Sequence, residues 1–332
     1  MRIMFLLALS ALGFSMTNQN SIKVSIAGFA QGTTYHITYY APDSNVVKKN
    51  VDSLLNSIDS SLSIYKPYSL ISLFNQSEKG LKINEHFVNV VNKSLETFTA
   101  TKGLFDITIA PLVYAWGFGA RKNNALPDSA AVASLRQCVN SNFLHLQGNF
   151  LGKDKPCVQV DVNGIAQGYS VDVVAAFLEA HNIYNYVVEI GGEIRVKGKK
   201  NDGSMMKIGI EAPVENELDP EIIQHILEID SGAVTTSGNY RKYFESEGKK
   251  ITHLIDPRTG YSVQNEMISV TVYATDAITA DAYDNALMLM GVDSALNFVN
   301  NRKDLAAYMI YKRKNGTVAD TATAAFYRLL KK

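Results

Sequence analysis

The clustering of predicted strands and helices constrains the fold of this chain most. Because strands and helices do not alternate strictly, the pattern predicts an α+β fold and not a doubly wound parallel sheet. No internal repeat or flexible linker divides the sequence, so we predict one compact domain over 21–332. Helical spacing of apolar residues predicts helices over 45–62, 87–101, 128–138, 164–181, 277–290, 294–300 and 321–330. Alternation and short apolar runs predict strands over 22–27, 33–40, 186–190, 193–196, 207–211, 226–229, 251–255, 268–273 and 306–311, with short strands inside 143–162.

The N-terminus differs in character from the rest of the chain. After Arg2, residues 3–15 form an almost uninterrupted apolar run, which the polar stretch 16–20 follows. The run is too short to span a bilayer comfortably and is typical of the apolar centre of a secretory signal. We therefore predict a signal peptide over 1–20 and an exported protein that is periplasmic or on the outer face of the cytoplasmic membrane. The alternatives are an uncleaved anchor, which would associate the protein with the membrane, and a buried N-terminal helix.

Composition and missing motifs exclude several classes of protein. The chain is 46% apolar, and its 32 basic side chains offset 32 acidic ones, which excludes a disordered chain and argues against a nucleic-acid binder. It has no Gly-x-Gly-x-x-Gly after a strand and no His-Glu-x-x-His, which argues against a Rossmann enzyme and a zinc hydrolase. Cys138 and Cys157 are the two cysteines, and either a disulfide or two reduced, buried thiols fits them.

Three oxygen-bearing side chains share one face of a predicted apolar helix. Asp281, Asp284 and Asn285 are spaced at i, i+3 and i+4. Carboxylates are costly to bury unless they are paired or bound to a metal, and two carboxylates with an amide oxygen suit Mg²⁺ better than zinc. The alternative is a solvated helix start that Asp276 or Thr275 caps.

Polar breaks elsewhere give weaker signals. The break at 161–164 lies between an apolar strand and an apolar helix, where it favours a phosphate or a close backbone approach, or simply a helix capped by Asn163. Gly191-Gly192 and the run of small residues over 231–238 allow a planar ligand or another backbone to lie against the chain, although tight turns are built in the same way. His253 is a candidate proton acceptor or a buried core histidine.

Taken together and in order, these segments resemble the ApbE family, the FAD:protein FMN transferases. The matching pieces are Gly32-Thr33, 65–75, 105–112, 116–119, 161–168, Gly191-Gly192, Ser237-Gly238, 253–260 and 280–291. They span nearly all of the chain after the predicted signal. The resemblance implies a T-fold-like α+β catalytic domain. It also implies transfer of FMN from FAD to a serine or threonine hydroxyl of an exported acceptor protein, with release of AMP.

The resemblance further implies roles for individual residues. Mg²⁺ would be bound by the carbonyl of Gly164 and by the side chains of Asp281, Asp284 and Asn285, where many family members have threonine at the last position. The candidate catalytic residues are Asp281 and His253, with His253 ranked first as the acceptor of the hydroxyl proton. Contacts with FAD are implied for Gln31, Tyr65, Leu104, Phe105, Asp106, Asp161, Gln167 and Ile255.

Two other functions stay open, because a fold alone does not fix a function. In a Mg²⁺-dependent FAD pyrophosphatase, water would replace the hydroxyl, and free FMN and AMP would form without an acceptor. In a flavin-binding protein without turnover, FAD would be retained unchanged in the presence of Mg²⁺.

Overall fold

The structure is a computed structural model that describes residues 21–119, 126–212, 222–239, 243–246 and 249–331. The predicted signal peptide over 1–20 lies outside the described residues. None of the helices within those ranges combines the length and the apolar composition that a membrane span requires.

The elements come in clusters, as the sequence predicts. Helices in the described ranges are α1 (Lys48–Leu62), α2 (Leu70–Gln76), α3 (Glu85–Ala100), α4 (Ala110–Ala115), α5 (Ser129–Arg136), α6 (Ala166–Ala180), α7 (Ala277–Met290), α8 (Val292–Asn300) and α9 (Ala324–Tyr327). The strands there are β1 (Ile22–Ala30), β2 (Thr33–Ala41), β3 (Gly80–Lys82), β4 (Leu144–Gln147), β5 (Phe150–Lys153), β6 (Asn185–Ile190), β7 (Glu193–Lys197), β8 (Met206–Glu211), β9 (Ile223–Ile229), β10 (Ser231–Gly238), β11 (Tyr243–Ser246), β12 (Lys249–Thr252), β13 (Met267–Ala274), β14 (Leu305–Lys312) and β15 (Val318–Ala322).

One antiparallel sheet organises the described part of the chain. Within it, eight strands pair in the order β1-β2-β6-β7-β10-β13-β14-β15, and every neighbouring pair is antiparallel. The sheet thus takes strands from both ends of the chain, and helices are not interleaved between parallel strands. The prediction of an α+β fold is confirmed.

The two faces of the sheet have different coverings. Helices α6 and α7 pack on one face, where Val174 of α6 lies in one buried cluster with Tyr186 of β6. The hairpin β8–β9 and helix α9 cover the other face, where Leu227 and Phe326 pack with Val234 of β10. Successive residues of a strand point to opposite faces, so Thr235, next to Val234, points toward the helices. This alternation places polar side chains of the central strands under α7.

One sequence prediction of local structure is wrong, and one choice between alternatives is decided. The segment 321–330 is not one helix, because Val318–Ala322 pairs with β14 as strand β15 and leaves only the short α9. Of the alternatives for 231–238, the structure shows the close approach of another backbone. These residues form β10, which lies between β7 and β13 in the sheet.

Cys138 and Cys157 form a disulfide, which decides between the two alternatives left by the sequence. The bond joins the end of α5 to the segment after β5 across a sequence separation of 19. Nearby, the buried Lys153 Nζ donates hydrogen bonds to the carbonyls of Phe74, Pro156 and Val158. The disulfide and this lysine together anchor the segment that leads to residue 161.

Replacing both cysteines with serine is expected to lower the free energy of unfolding by about 3 kcal/mol, because the unfolded chain gains the freedom of an open loop. Urea denaturation of the variant and the wild type measures the difference. Treating the wild type with a reductant should reproduce the loss and leave the variant unchanged. Equal stability of the variant and the oxidised wild type would contradict the prediction.

Candidate active site

The carboxylates of α7 are buried, so the interpretation of a solvated helix start is wrong. Asp281 is 4% exposed and Asp284 is 1% exposed. Asp276 does cap the helix, since its side chain accepts a hydrogen bond from the Thr279 N–H. The cap therefore fixes where α7 begins, and the helical repeat then turns both carboxylates inward.

Each buried carboxylate accepts a hydrogen bond from a different element. The Gly168 N–H of α6 donates to Asp281 Oδ2 at 2.8 Å, and the Thr235 hydroxyl of β10 donates to Asp284 Oδ2 at 2.8 Å. Among the described residues, no lysine or arginine forms an ion pair with either side chain. Neutral donors alone do not balance two buried negative charges, so the pair favours a cation.

The surroundings of the carboxylates favour their protonated forms. Burial raises the pKa of Asp281 to about 7. Burial also raises the pKa of Asp284 well above its ordinary value, and the charge of Asp281 raises it further. A divalent cation would reverse this effect, because it stabilises the ionised form.

Glu193 is a third buried carboxylate in the same region, and the sequence analysis missed it. It is 9% exposed, and burial raises its pKa well above the ordinary value, as do the charges of Asp281 and Asp284. Its Oε2 has no hydrogen-bond partner within the described residues. The sequence feature that could have indicated Glu193 is its place as a carboxylate at the start of a predicted strand, directly after Gly191-Gly192.

The structure brings Gly164 and Asn285 together, although they lie far apart in sequence. Asn285 Nδ2 is 3.5 Å from the Gly164 carbonyl oxygen and 2.9 Å from Asp284 Oδ1, and Ser237 Oγ donates to Asn285 Oδ1 at 3.2 Å. Asn163 does not cap α6, whose N-cap is Ile165 without a side-chain hydrogen bond. The segment 161–165 that leads into α6, called the junction below, therefore faces the carboxylates of α7.

The tip of the first hairpin lies over the first turns of α6. Gln31 has a positive φ of 55°, and its Nε2 donates to Ser170 Oγ at 2.9 Å. Gln31 Oε1 is buried without a hydrogen-bond partner in the described part of the chain. Gln167 lies against Gly191, where a side chain would overlap with Gln167 Nε2 and approach Thr33. Two of the predicted FAD contacts, Gln31 and Gln167, thus occupy one region beside the Gly191-Gly192 turn.

Tyr65 and Asp161 lie at the opposite side of the junction. Burial, and then the charge of Asp161, raises the pKa of Tyr65, although 64% of this residue is exposed. Burial raises the pKa of Asp161 to about 6, and its Oδ1 accepts a hydrogen bond from the Asn163 N–H. Tyr65 also borders a cleft of about 300 Å³, a volume at the lower end for ligand pockets. Its lining residues are Ile64, Tyr65, Pro67, Ser72, Asn75, Gln76, Tyr114 and Gln159.

The segment 104–106 packs against the junction. Leu104 is buried, and the ring of Phe105 would lie 3.7 Å from a Cβ added at Gly164. Asp106 accepts hydrogen bonds from the backbone N–H and the hydroxyl of both Thr108 and Ser141. These four bonds offset the burial that raises the pKa of Asp106. The described contacts of Asp106 therefore join its own loop to the segment that begins at Ser141.

His253 and Ile255 follow strand β12, and Ile255 packs against α4. Ile255 is buried with Leu112 and Trp116, and the His253 ring centroid is 6.3 Å from that of Phe118. Leu254, between them, packs in the cluster that contains apolar residues of α7. The segment thus connects α4 with the helix that carries the carboxylates.

The predicted donor set consists of a carbonyl, two carboxylates and one amide. Among the described residues there is no group of three or more His, Cys, Asp or Glu side chains arranged to bind a metal ion directly. The four predicted donors include only two side chains of those types, and the structure places them around one junction. Such an oxygen set can bind a hard divalent cation. The adjacent N–H groups can donate to a phosphate, and the cleft beside Tyr65 can hold a planar ring.

Comparison with known proteins gives consistent results. The ApbE family model matches residues 31–309. The chain is 36% identical over 317 residues to the FAD:protein FMN transferase of Vibrio cholerae, covering 93% of both chains. It is 34% identical over 327 residues to that of Haemophilus influenzae, covering 95% of this chain and 94% of the relative.

Solved structures of similar proteins share the fold. The flavin transferase ApbE of Vibrio cholerae superposes with a TM-score of 0.83 at 33% identity, over 93% of this chain and 100% of that chain. The apo form of the Pseudomonas stutzeri flavinyl transferase ApbE gives a TM-score of 0.84 at 30% identity, over 93% and 97%. The fold, the ordered motifs and the matched length agree, and the chain belongs to the ApbE family.

Proposed function

We propose that this chain transfers FMN from FAD to a serine or threonine hydroxyl of an acceptor protein, releasing AMP, in a reaction that requires Mg²⁺. The chain is a FAD:protein FMN transferase, the activity for which its relatives are named. The observation that carries the finer proposal is the buried pair Asp281 and Asp284, which faces the junction at Gly164 with no cationic partner among the described residues.

The residues around this pair fit Mg²⁺. Asp281, Asp284, the Asn285 amide oxygen and the Gly164 carbonyl would hold the ion. Asn285 presents its N–H group to the Gly164 and Asp284 oxygens. A rotation of the amide by half a turn would present its oxygen instead, which is the atom that would bind a cation. When bound, Mg²⁺ would neutralise charge on the pyrophosphate of FAD.

The transfer replaces a phosphoanhydride bond of FAD with a phosphoester bond to the acceptor. The acceptor hydroxyl oxygen forms a bond to the phosphorus of the FMN half of FAD, and the bond from that phosphorus to the bridging oxygen breaks. The electron pair of the broken bond leaves with AMP, and the hydroxyl proton passes to a base. His253 is proposed as that base, because histidine accepts protons near neutral pH.

Residues on both sides of the junction would position FAD. Tyr65 would stack on an aromatic ring of the cofactor, and its exposed ring beside the cleft supports this role. Gln31 has a buried, unpartnered oxygen that a ligand donor could satisfy. Leu104, Phe105, Asp106, Asp161, Gln167 and Ile255 stay predictions as FAD contacts.

A mass spectrum of a candidate acceptor protein tests the function. After incubation with FAD, Mg²⁺ and this protein, we expect the acceptor to gain the mass of one FMN, and AMP to appear in equal amount. Free FMN and AMP formed as fast without acceptor would indicate a pyrophosphatase instead. FAD retained unchanged in Mg²⁺ would indicate a binding protein.

His253→Ala is expected to slow the transfer by about 100-fold to 10,000-fold, the usual contribution of a positioned base. Because His253 is not one of the proposed Mg²⁺ ligands, the affinity for Mg²⁺ should stay the same. The rate of mass gain by the acceptor measures the effect. His145→Ala is the control, since His145 is an exposed histidine paired with Asp154. A transfer rate equal to that of the wild type would assign the proton to another group.

We further propose that the protein works outside the cytoplasm. Disulfides persist in oxidising compartments, and the bond between Cys138 and Cys157 supports this proposal. A fusion to a reporter enzyme that is active only after export tests it, and activity that does not depend on residues 1–20 would contradict it.

A further inference from the structure

Glu193 enters the region of the carboxylates from the sheet, opposite α7. Ile194 pairs with Val234 in the ladder between β7 and β10, so Glu193 and Thr235 are the next residues on the two strands. Val234 packs against the far face of the sheet with the hairpin β8–β9. Both neighbouring side chains, Glu193 and Thr235, therefore point toward the helices.

Thr235 connects this position to α7. Its hydroxyl donates to Asp284 Oδ2 at 2.8 Å, and the Glu193 side chain lies beside it on the same face. Glu193 is 9% exposed, and its Oε2 has no hydrogen-bond partner within the described ranges. A buried carboxylate oxygen without a donor is costly unless a ligand supplies one.

Direct binding of one ion by three carboxylates does not fit the structure. No three carboxylates of the described chain form such a group. Mg²⁺, however, loses its water reluctantly and usually keeps several bound water molecules, which are strong hydrogen-bond donors. An acceptor placed behind the direct ligands would hold these waters and through them the ion.

We propose that Glu193 is a positioning residue of the Mg²⁺ site and that its carboxylate accepts hydrogen bonds from water bound to the ion. The inference rests on the Mg²⁺ site of the proposed function and extends it to the sheet. It assigns the unpartnered Oε2 a donor that arrives with the metal. The sheet then contributes to metal affinity through Glu193, whereas α7 and Gly164 contribute the direct ligands.

Isothermal titration of the full chain with MgCl₂ at about pH 8 tests the proposal. Glu193→Gln keeps the shape of the side chain, removes its charge and is expected to weaken Mg²⁺ binding by about 10-fold to 100-fold. Glu193→Met, which removes both acceptor oxygens, should weaken binding at least as much. Glu228→Gln is the control, because Glu228 pairs with Lys207 and Lys331 on the hairpin side of the sheet.

Melting temperatures in EDTA separate a lost contact from a damaged fold. Glu193→Gln should melt no lower than the wild type, since it removes a charge from a group of three buried acids, and added Mg²⁺ should raise its melting temperature less. Wild-type affinity in both Glu193 variants would overturn this inference alone. If the wild type itself does not bind Mg²⁺, the proposed metal site and this inference both fail.

Discussion

Asp281→Asn is expected to slow FMN transfer by about 1,000-fold or more, equivalent to about 4 kcal/mol of activation barrier. The amide has nearly the same shape as the carboxylate, and its oxygen can still accept the hydrogen bond from the Gly168 N–H. What it lacks is the negative charge that would bind Mg²⁺. The rate of mass gain by the acceptor at saturating FAD measures the effect.

The same variant has a second expected result, on stability without metal. The pKa of Asp281 is about 7 in the folded protein, against an ordinary value of 3.8. The folded state therefore keeps a proton that the unfolded chain releases at lower pH. Stability from this group is fully present below about pH 4 and is lost as the pH rises through about 7. Asp281→Asn removes this loss. In EDTA, the free energy of unfolding of the variant should therefore rise relative to that of the wild type from about pH 5 to about pH 8.

Asp293→Asn is the matched control for both measurements. Asp293 is an exposed aspartate in the first turn of α8, the helix that follows α7. It should leave the transfer rate and the pH dependence of melting as they are in the wild type. Transfer by Asp281→Asn at a rate near that of the wild type would remove Asp281 from the proposed Mg²⁺ site.

Gly168→Ala is expected to destabilise the protein by about 1–3 kcal/mol or more, the cost of overpacking a core. A Cβ at this position would overlap with the Ala277 carbonyl oxygen and lie 2.7 Å from Asp281 Cβ. The carbonyl belongs to the backbone of α7, so the clash is relieved only if α6 and α7 separate. Urea denaturation in EDTA measures the loss.

Separation of the two helices would also damage the site. The Gly168 N–H donates to Asp281, so a shift of α6 weakens the bond that orients this carboxylate. We therefore expect Mg²⁺ affinity to fall together with stability. Gly152→Ala is the control, because a Cβ there would meet no atom closer than 3.5 Å. Equal stability of Gly168→Ala and the control would show that the helices are not as tightly packed as the structure indicates.

Local pattern was enough to predict the carboxylate helix. Asp281, Asp284 and Asn285 recur at helical spacing among apolar residues, so their common face follows from the sequence within one helix. The structure then decides for burial over the solvated alternative. The hairpin of β1 and β2 was predicted for the same reason, since its alternation and its turn are local. Helix α1 begins at Lys48 and not at residue 45. Local signals in the sequence do not fix the end of a helix to within a few residues.

Features that depend on distant partners could not be predicted. The run 231–238 has strand-favouring residues at 234–236 between small residues, but its position in the middle of the sheet depends on pairing with β7 and β13. Glu193 looked like an ordinary strand residue, because the carboxylates that surround it are far along the chain. The position of Gly164 beside Asn285 followed from the family resemblance and not from either segment alone.

The contact between Gly164 and Asn285 spans 121 residues of sequence. Structures that depend on such remote pairings form later than local helices and hairpins. A polypeptide still emerging from the ribosome has therefore not yet assembled the contact between Gly164 and α7. The proposed Mg²⁺ site is complete only after α7 has been synthesised and has docked on α6.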